Sequence, residues 1–237
     1  MEKYKLKVID IVEEASGIKT YHFEKPADLT WLEGGHTHIG HVGFDEGDLP
    51  NKALVRHMSI TTLPSENKLG ITTKVPGSDS LFKQKLTELK IGDEAIFFKL
   101  GSRMYLRRAN RPLIFLSMGV GIAAFRPAIL AYHKDTSNIA SIKNVNVNSS
   151  GEFLYRSELE AYADDTYINY WVQSRREFID LLSELSHEEN AIYYIVGSDE
   201  FLKDNIKLLL QSGVRKEDIL LDKKEEKLKD YFDLDEN

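Results

Sequence analysis

The sequence predicts two unlike domains in series, an antiparallel β-domain over residues 1–108 followed by an α/β domain with a parallel sheet over residues 109–237. Three observations carry the prediction. A chain of 237 residues has the length of one large domain or two small ones. Its periodicity changes at Arg111-Pro112, where closely spaced alternating strands give way to strands separated by helical segments. Hydrophobic residues make up 42% and charged residues 29%, a globular balance with enough apolar material for a core in each half.

In the first half, YKLKVIDIV, GIKTYHFEK, HTHIGHVGF, LVRHMSITTL, LGITTKV and EAIFFKL alternate or are β-branched and read as strands. Turn residues separate them at short intervals (Ser16-Gly17, Gly34-Gly35, Gly47-Asp48, Glu66-Asn67, Gly92-Asp93), the spacing of an antiparallel sandwich or barrel. One helix interrupts the series, with Phe82, Leu86 and Leu89 at i, i+4 and i+7.

In the second half, LIFLS, VNV, INYWVQ, AIYYIVG and DILL are apolar strands. Helical patterns over Phe125–His133, Leu154–Tyr162, Glu177–Leu185 and Phe201–Ser212 separate them, and Gly213 stands where a helix stop belongs. Strands joined by helical crossovers form a parallel sheet with helices on its faces. The charged tail from Asp222 carries Leu228, Tyr231 and Phe232 on one helical face.

Composition removes several classes of function. No stretch reaches the ~20 apolar residues of a membrane span, and the N-terminus alternates charge with apolar residues where a signal peptide would have a hydrophobic block. A cytoplasmic location is the expectation. The absence of cysteine excludes disulfides, a thiolate nucleophile and an iron-sulfur cluster held by this chain, so redox chemistry would need a bound organic group. A net charge of -7 opposes a phosphate backbone, and nucleic acid is not an expected partner.

Three segments carry chemistry. In LIFLSMGVGIAAFRP a strand ends at Gly119 and Gly121 and runs into a helix, an arrangement that brings backbone amides up to a phosphate. Pro127 predicts a helix start near Phe125, leaving the amides of Val120 to Ala124, Ile122 among them, free for a ligand. The same glycines also suit a helix that simply packs close to a sheet. A dinucleotide site of the Rossmann type would place an acid at the end of the next strand, and NVNV ends instead in Asn148-Ser149-Ser150. In VPGSDSLFKQKL, Gly77, Ser78 and Ser80 lie at a helix N-terminus, which suits a pyrophosphate or an ordinary cap. In LVRHMSITTLP, Arg56 and Met58 share one strand face. Two further clusters stand apart: His36, His38 and His41 in HTHIGH, an alternative metal site, and the basic run Arg103, Arg107, Arg108 and Arg111 at the domain junction.

Taken in this order, these features resemble the ferredoxin-NADP reductase superfamily over nearly the whole chain. The resemblance implies an N-terminal Greek-key β-barrel that binds FAD and a C-terminal α/β domain that binds NADP or NAD. RHMS matches the family's Arg-x-Tyr-Ser, so Arg56 would pair with an FAD phosphate and Ser59, the implied catalytic residue, would hydrogen-bond near flavin N5. His57 and Met58 would line the isoalloxazine, with Met58 replacing the usual tyrosine. Gly77, Ser78 and Ser80 match the pyrophosphate loop, and Gly35-His36 the family's Pro-Gly-Gln segment. Gly119, Val120, Gly121 and Ile122 match Gly-Gly-x-Gly-Ile-x-Pro, with Met118 and Ala124 departing from it. Gly197, Ser198 and Asp199 in VGSDEF are similar to Cys-Gly-Pro, with Val196 at the cysteine. The closing GVRKEDILLDKK resembles the family's last strand, with Asp222 as the acid that often follows. Ser149, Ser150 and the pair Arg175-Arg176 occupy positions where related reductases hold the adenosine 2'-phosphate, which favours NADPH over NADH unless the arginines pair with Glu184, Glu188 and Glu189.

The implied function is hydride transfer from NAD(P)H to FAD, with electrons passed to a separate carrier or small acceptor. An acidic ferredoxin- or flavodoxin-like carrier would dock at Arg103, Arg107 and Arg108. The alternative is a non-catalytic regulatory or electron-transfer subunit of the same fold, a reading that the departures at Met58, Met118, Ala124 and Val196 keep open.

Overall fold

The computed structural model describes residues 2–75 and 80–233. The chain divides into two compact units, Met1–Tyr105 and Leu106–Asn237.

The first unit is a six-stranded antiparallel sheet built from β1 (Lys3–Ala15), β2 (Ile18–Glu24), β3 (Gly35–His41), β4 (Val55–Ser59), β5 (Lys68–Lys74) and β6 (Glu94–Ser102), in the order β4-β3-β6-β1-β2-β5. β1 is long enough to serve two partners: Lys3–Lys7 pair with β6, and Val8–Ala15 pair with β2 across two register shifts. Such bulges bend a strand from one layer into the other. Beyond β4 the Thr61 amide donates to the Gly70 carbonyl at 2.9 Å, so the two ends of the order meet and the sheet curls into a barrel. Its interior is filled by Leu6, Tyr21, Phe23, Ile39, Leu69, Ile71 and Phe97. The helix α1 (Leu81–Glu88) contributes Phe82 and Leu86 to the same core.

The second unit is a five-stranded parallel sheet of β7 (Arg111–Met118), β8 (Ile139–Val147), β9 (Tyr167–Val172), β10 (Ile192–Val196) and β11 (Ile219–Leu221), in the order β11-β10-β7-β8-β9. The helices α2 (Ile122–Lys134), α3 (Arg156–Glu160), α4 (Arg175–Leu185) and α5 (Asp199–Gln211) connect successive strands. Strand order reverses between β7 and β10, and a crevice forms outside the carboxyl ends of strands at such a point. The last helix, α6 (Glu225–Phe232), presents the apolar face seen in the tail and buries Tyr231 and Phe232 in the core with α5, a docking site that the sequence does not show.

Three boundaries differ from expectation. α2 begins at Ile122, three residues before the position inferred from Pro127, and the proline stands inside the helix. Burial of Ile122, Ala123 and Ala124 against the sheet outweighs the lost proline hydrogen bond. Only the 3-10 turn Gly119–Gly121 separates β7 from the helix, so the expected run of free amides is shorter. β8 begins six residues before VNV, because pairing with β7 and β9 holds Ser141, Lys143 and Asn144 in the strand despite their polarity. α3 is confined to Arg156–Glu160 by Tyr155, whose φ of 57° lies in the left-handed region.

Candidate functional site

In the barrel unit the functional residues converge on the N-terminus of α1. Arg56 on β4 donates through Nη2 to the Ser80 hydroxyl at 2.8 Å and through Nη1 to the Val55 carbonyl at 2.7 Å. Ser80 is the N-cap of α1, and its side chain makes no capping hydrogen bond to the helix. Two predicted phosphate ligands, far apart in sequence, are thus in contact where helical N–H groups and the positive dipole end favour an anion. Lys83 lies one turn on, and its ammonium is held below the ordinary lysine range by burial, with Lys74 and Arg56 adding repulsion. Three cations around one helix end repel one another and fit a polyanion such as a pyrophosphate. Gly77 and Ser78 lie outside the described residues.

The other residues of the RHMS motif divide between the faces of β4. Met58 is half-buried and packs against the barrel core. His57 is exposed and faces its cross-strand partner His38 on β3, while Ser59 pairs with His36. The His57 ring lies 4.5 Å from that of His36 and 5.4 Å from that of His38, and Arg103 Nη1 is 3.3 Å from His57 Nε2. His41 belongs to a different environment: its ring packs on Phe82, and its Nε2 bonds to the Phe82 carbonyl at 2.8 Å. His41 therefore stands apart from His36 and His38, whose rings gather instead around His57, with Arg103 beside His57.

In the second unit the residues gather at the carboxyl ends of the strands. Gly119 has a φ of +52°, which an L side chain rarely adopts. Gly121 is required for a different reason, since a Cβ there would lie 2.8 Å from the Val196 carbonyl at the end of β10. Gly197 likewise leaves room for the Phe201 ring. Behind the turn stands Asn146, fully buried on β8, whose Nδ2 donates to Ser117 Oγ at 2.9 Å and to the Gly119 carbonyl at 3.1 Å. Sequence reasoning missed this residue. Its signal was an asparagine at a buried strand position.

A cavity of about 490 Å³ opens from this turn and runs between α4 and α5. Met118, Gly119, Ser149 and Ser198 lie at its sheet end, Phe178, Leu182, Phe201 and Leu208 form apolar walls, and Arg175, Glu200, Asp204 and Lys207 bring charge. Ser149 and Arg175, both predicted to bind a nucleotide, therefore share one cavity. Ser150 is exposed and its hydroxyl accepts from the Glu152 amide at 3.2 Å. Ser198 accepts from the Phe201 amide at 3.2 Å as the cap of α5. Asp199 turns toward α6, bonding to Lys223 Nζ at 2.9 Å and Tyr231 Oη at 2.6 Å, and these contacts lower its pKa. Its side chain serves the fold. Arg175 pairs with Asp204 at 2.6 Å and Glu200 at 3.8 Å, not with the acidic run Glu184 to Glu189.

The junction arginines of this unit satisfy backbone carbonyls at the amino-terminal end of its sheet. Arg107 reaches the Glu217 carbonyl, and Arg108 reaches those of Asp135 and Ser137. Among the described residues no helix is long and apolar enough to cross a membrane.

Solved structures share this architecture. A ferredoxin NADP+ reductase from Neisseria gonorrhoeae, determined with bound FAD and NADP, matches with a TM-score of 0.78 at 15% identity, covering 94% of this chain and 98% of its own. The chain has the ferredoxin-NADP reductase fold. The CS-b5R domains of human Ncb5or in their NAD+ form share this reductase fold with a TM-score of 0.76 at 18% identity, covering 93% of this chain and 69% of theirs. So does the cytochrome b5 reductase domain of Ulva prolifera nitrate reductase, with a TM-score of 0.72 at 18% identity over 91% and 94% of the two chains. No protein-family model and no curated protein matches the sequence.

Proposed function

We propose that this chain is an NAD(P)H-dependent flavoprotein reductase, with FAD held by the barrel unit and the nicotinamide dinucleotide by the α/β unit. The observation that carries the reading is the Arg56–Ser80 contact at the N-terminus of α1, reinforced by Lys74 and Lys83. Arg56 would pair with the FAD diphosphate, and Ser80 would present its hydroxyl beside it. Ser59, His57 and Met58 would line the isoalloxazine, and Gly119, Val120, Gly121 and Ile122 would bring the β7–α2 turn against the dinucleotide. When bound, the flavin accepts a hydride and releases electrons one or two at a time. The chain's own part is to bind, orient and shield. Asn146 holds the glycine turn in shape, and no side-chain acid is asked to move a proton. The electron acceptor is a separate carrier or a small molecule.

Purification with FAD and a visible spectrum tests the proposal. The expected result is a yellow protein, bleached anaerobically by a reduced nicotinamide. Arg56→Gln should bind FAD on the order of 10–100-fold more weakly, the worth of one charge-assisted phosphate contact. A colourless wild-type protein that refuses added FAD would overturn the reading in favour of a regulatory module.

A further inference from the structure

We infer that the cavity between α4 and α5 is an adenosine subsite that selects NADH over NADPH, with Asp204 and Glu200 as the residues that decide. The inference rests on the nucleotide reading of the second unit and adds the identity of the dinucleotide.

A site that takes the unphosphorylated nucleotide offers a carboxylate to the ribose hydroxyls, customarily from the end of the second strand. Here that strand ends in Asn148-Ser149-Ser150 and offers none. The structure supplies carboxylates from another element: Glu200 and Asp204 stand on the first two turns of α5 and line the same cavity as Ser149 and Arg175.

A site for the 2'-phosphate needs surplus positive charge, and this cavity has none. Its charged lining residues are two cations, Arg175 and Lys207, and two carboxylates, Glu200 and Asp204. Arg175, the side chain placed by sequence to grip the phosphate, spans both acids. An exposed pair of this kind is worth about 1 kcal/mol or less, so the pairing itself does not lock the arginine. What discriminates is the pair of negative charges left in the cavity wherever Arg175 goes. A phosphate dianion would face them, whereas ribose hydroxyls can donate to them.

Deeper in the cavity the chemistry is that of a neutral ring. Phe178, Leu182, Phe201 and Leu208 supply apolar surface. Asn205, 3% exposed, lines it with an amide oriented by donation from Nδ2 to the Phe201 carbonyl at 2.5 Å, and its buried Oδ1 has no hydrogen-bond partner. That oxygen is sealed from the cavity space, so the amide fixes this wall and the apolar side chains are what would hold the ring.

Calorimetric titration of the full chain with 5'-AMP and with 2',5'-ADP tests the inference without use of the flavin. The wild type should bind 5'-AMP at least about tenfold more tightly. Glu200→Gln/Asp204→Asn, at exposed positions that leave the fold intact, should invert this preference, gaining at least about thirtyfold for 2',5'-ADP as the two carboxylate charges that face the phosphate are removed and Arg175 can pair with it. Arg175→Ala in that background should abolish the gain. Wild-type preference for 2',5'-ADP, or a double variant with unchanged preference, would overturn the selection while leaving the nucleotide site standing. Binding of neither nucleotide would overturn the nucleotide reading as well.

Discussion

Gly119 and Gly121 sit two residues apart in one turn and are glycine for different physical reasons. Alanine at Gly119 meets no atom within 4 Å but must adopt a φ of +52°, which costs about 1–2 kcal/mol. Alanine at Gly121 has an ordinary backbone but drives its methyl to 2.8 Å from the Val196 carbonyl, an overpacking that costs about 1–3 kcal/mol and shifts the turn against β10. Chemical denaturation should therefore show both variants destabilised, while nucleotide titration separates them. Gly119→Ala should keep most of its affinity, and Gly121→Ala should lose it as the turn is displaced. Equal affinities would count against the role given to the turn. The glycine pattern itself was legible in the sequence, but its reasons were not, because Val196 and Phe201 approach only through folding. Asn146 was illegible for a related reason, as its partners Ser117 and Gly119 lie on the neighbouring strand and in the turn that follows it.

Strand and helix order follows from periodicity, whereas boundaries follow from burial that no local pattern encodes. α2 starts early because Ile122, Ala123 and Ala124 pack on the sheet, and β8 runs long because two neighbours pair with it. Burial at this scale also sets a pH dependence. His22 on β2, His41 on β3 and His133 on α2 are all held below the ordinary imidazole value of 6.5, in each case chiefly by burial. Their unfolded forms bind protons more readily, so the stability they contribute is complete above about pH 6.5 and drains as pH falls through the lower folded values. The thermal midpoint should drop between pH 7 and pH 5. His41→Gln, which can still donate to the Phe82 carbonyl, should flatten that dependence, and a curve identical to wild type would remove His41 from the explanation.

The molecule as a whole is acidic, with a net charge of -7, yet it carries four arginines between residues 103 and 111. The sequence shows that excess, and only the structure separates the tasks of Arg103, Arg107 and Arg108. Arg107 and Arg108 hold carbonyls at the amino-terminal end of the parallel sheet, while Arg103 stands beside His57 on the strand proposed to meet the flavin. An acidic electron carrier would be repelled by the net charge at long range and would need a local positive field to dock, so its rate should depend steeply on salt. On the proposed function, Arg103→Gln should lower carrier-dependent turnover and flatten its salt dependence, while turnover with a neutral small acceptor persists. Arg107→Gln/Arg108→Gln should instead lower the unfolding midpoint of the second unit, because the carbonyls they serve lose charged donors. Steady-state rates across an ionic-strength series, set beside melting curves of the same variants, separate the two outcomes. A carrier rate for Arg103→Gln that tracks wild type at every salt concentration would move the docking surface elsewhere.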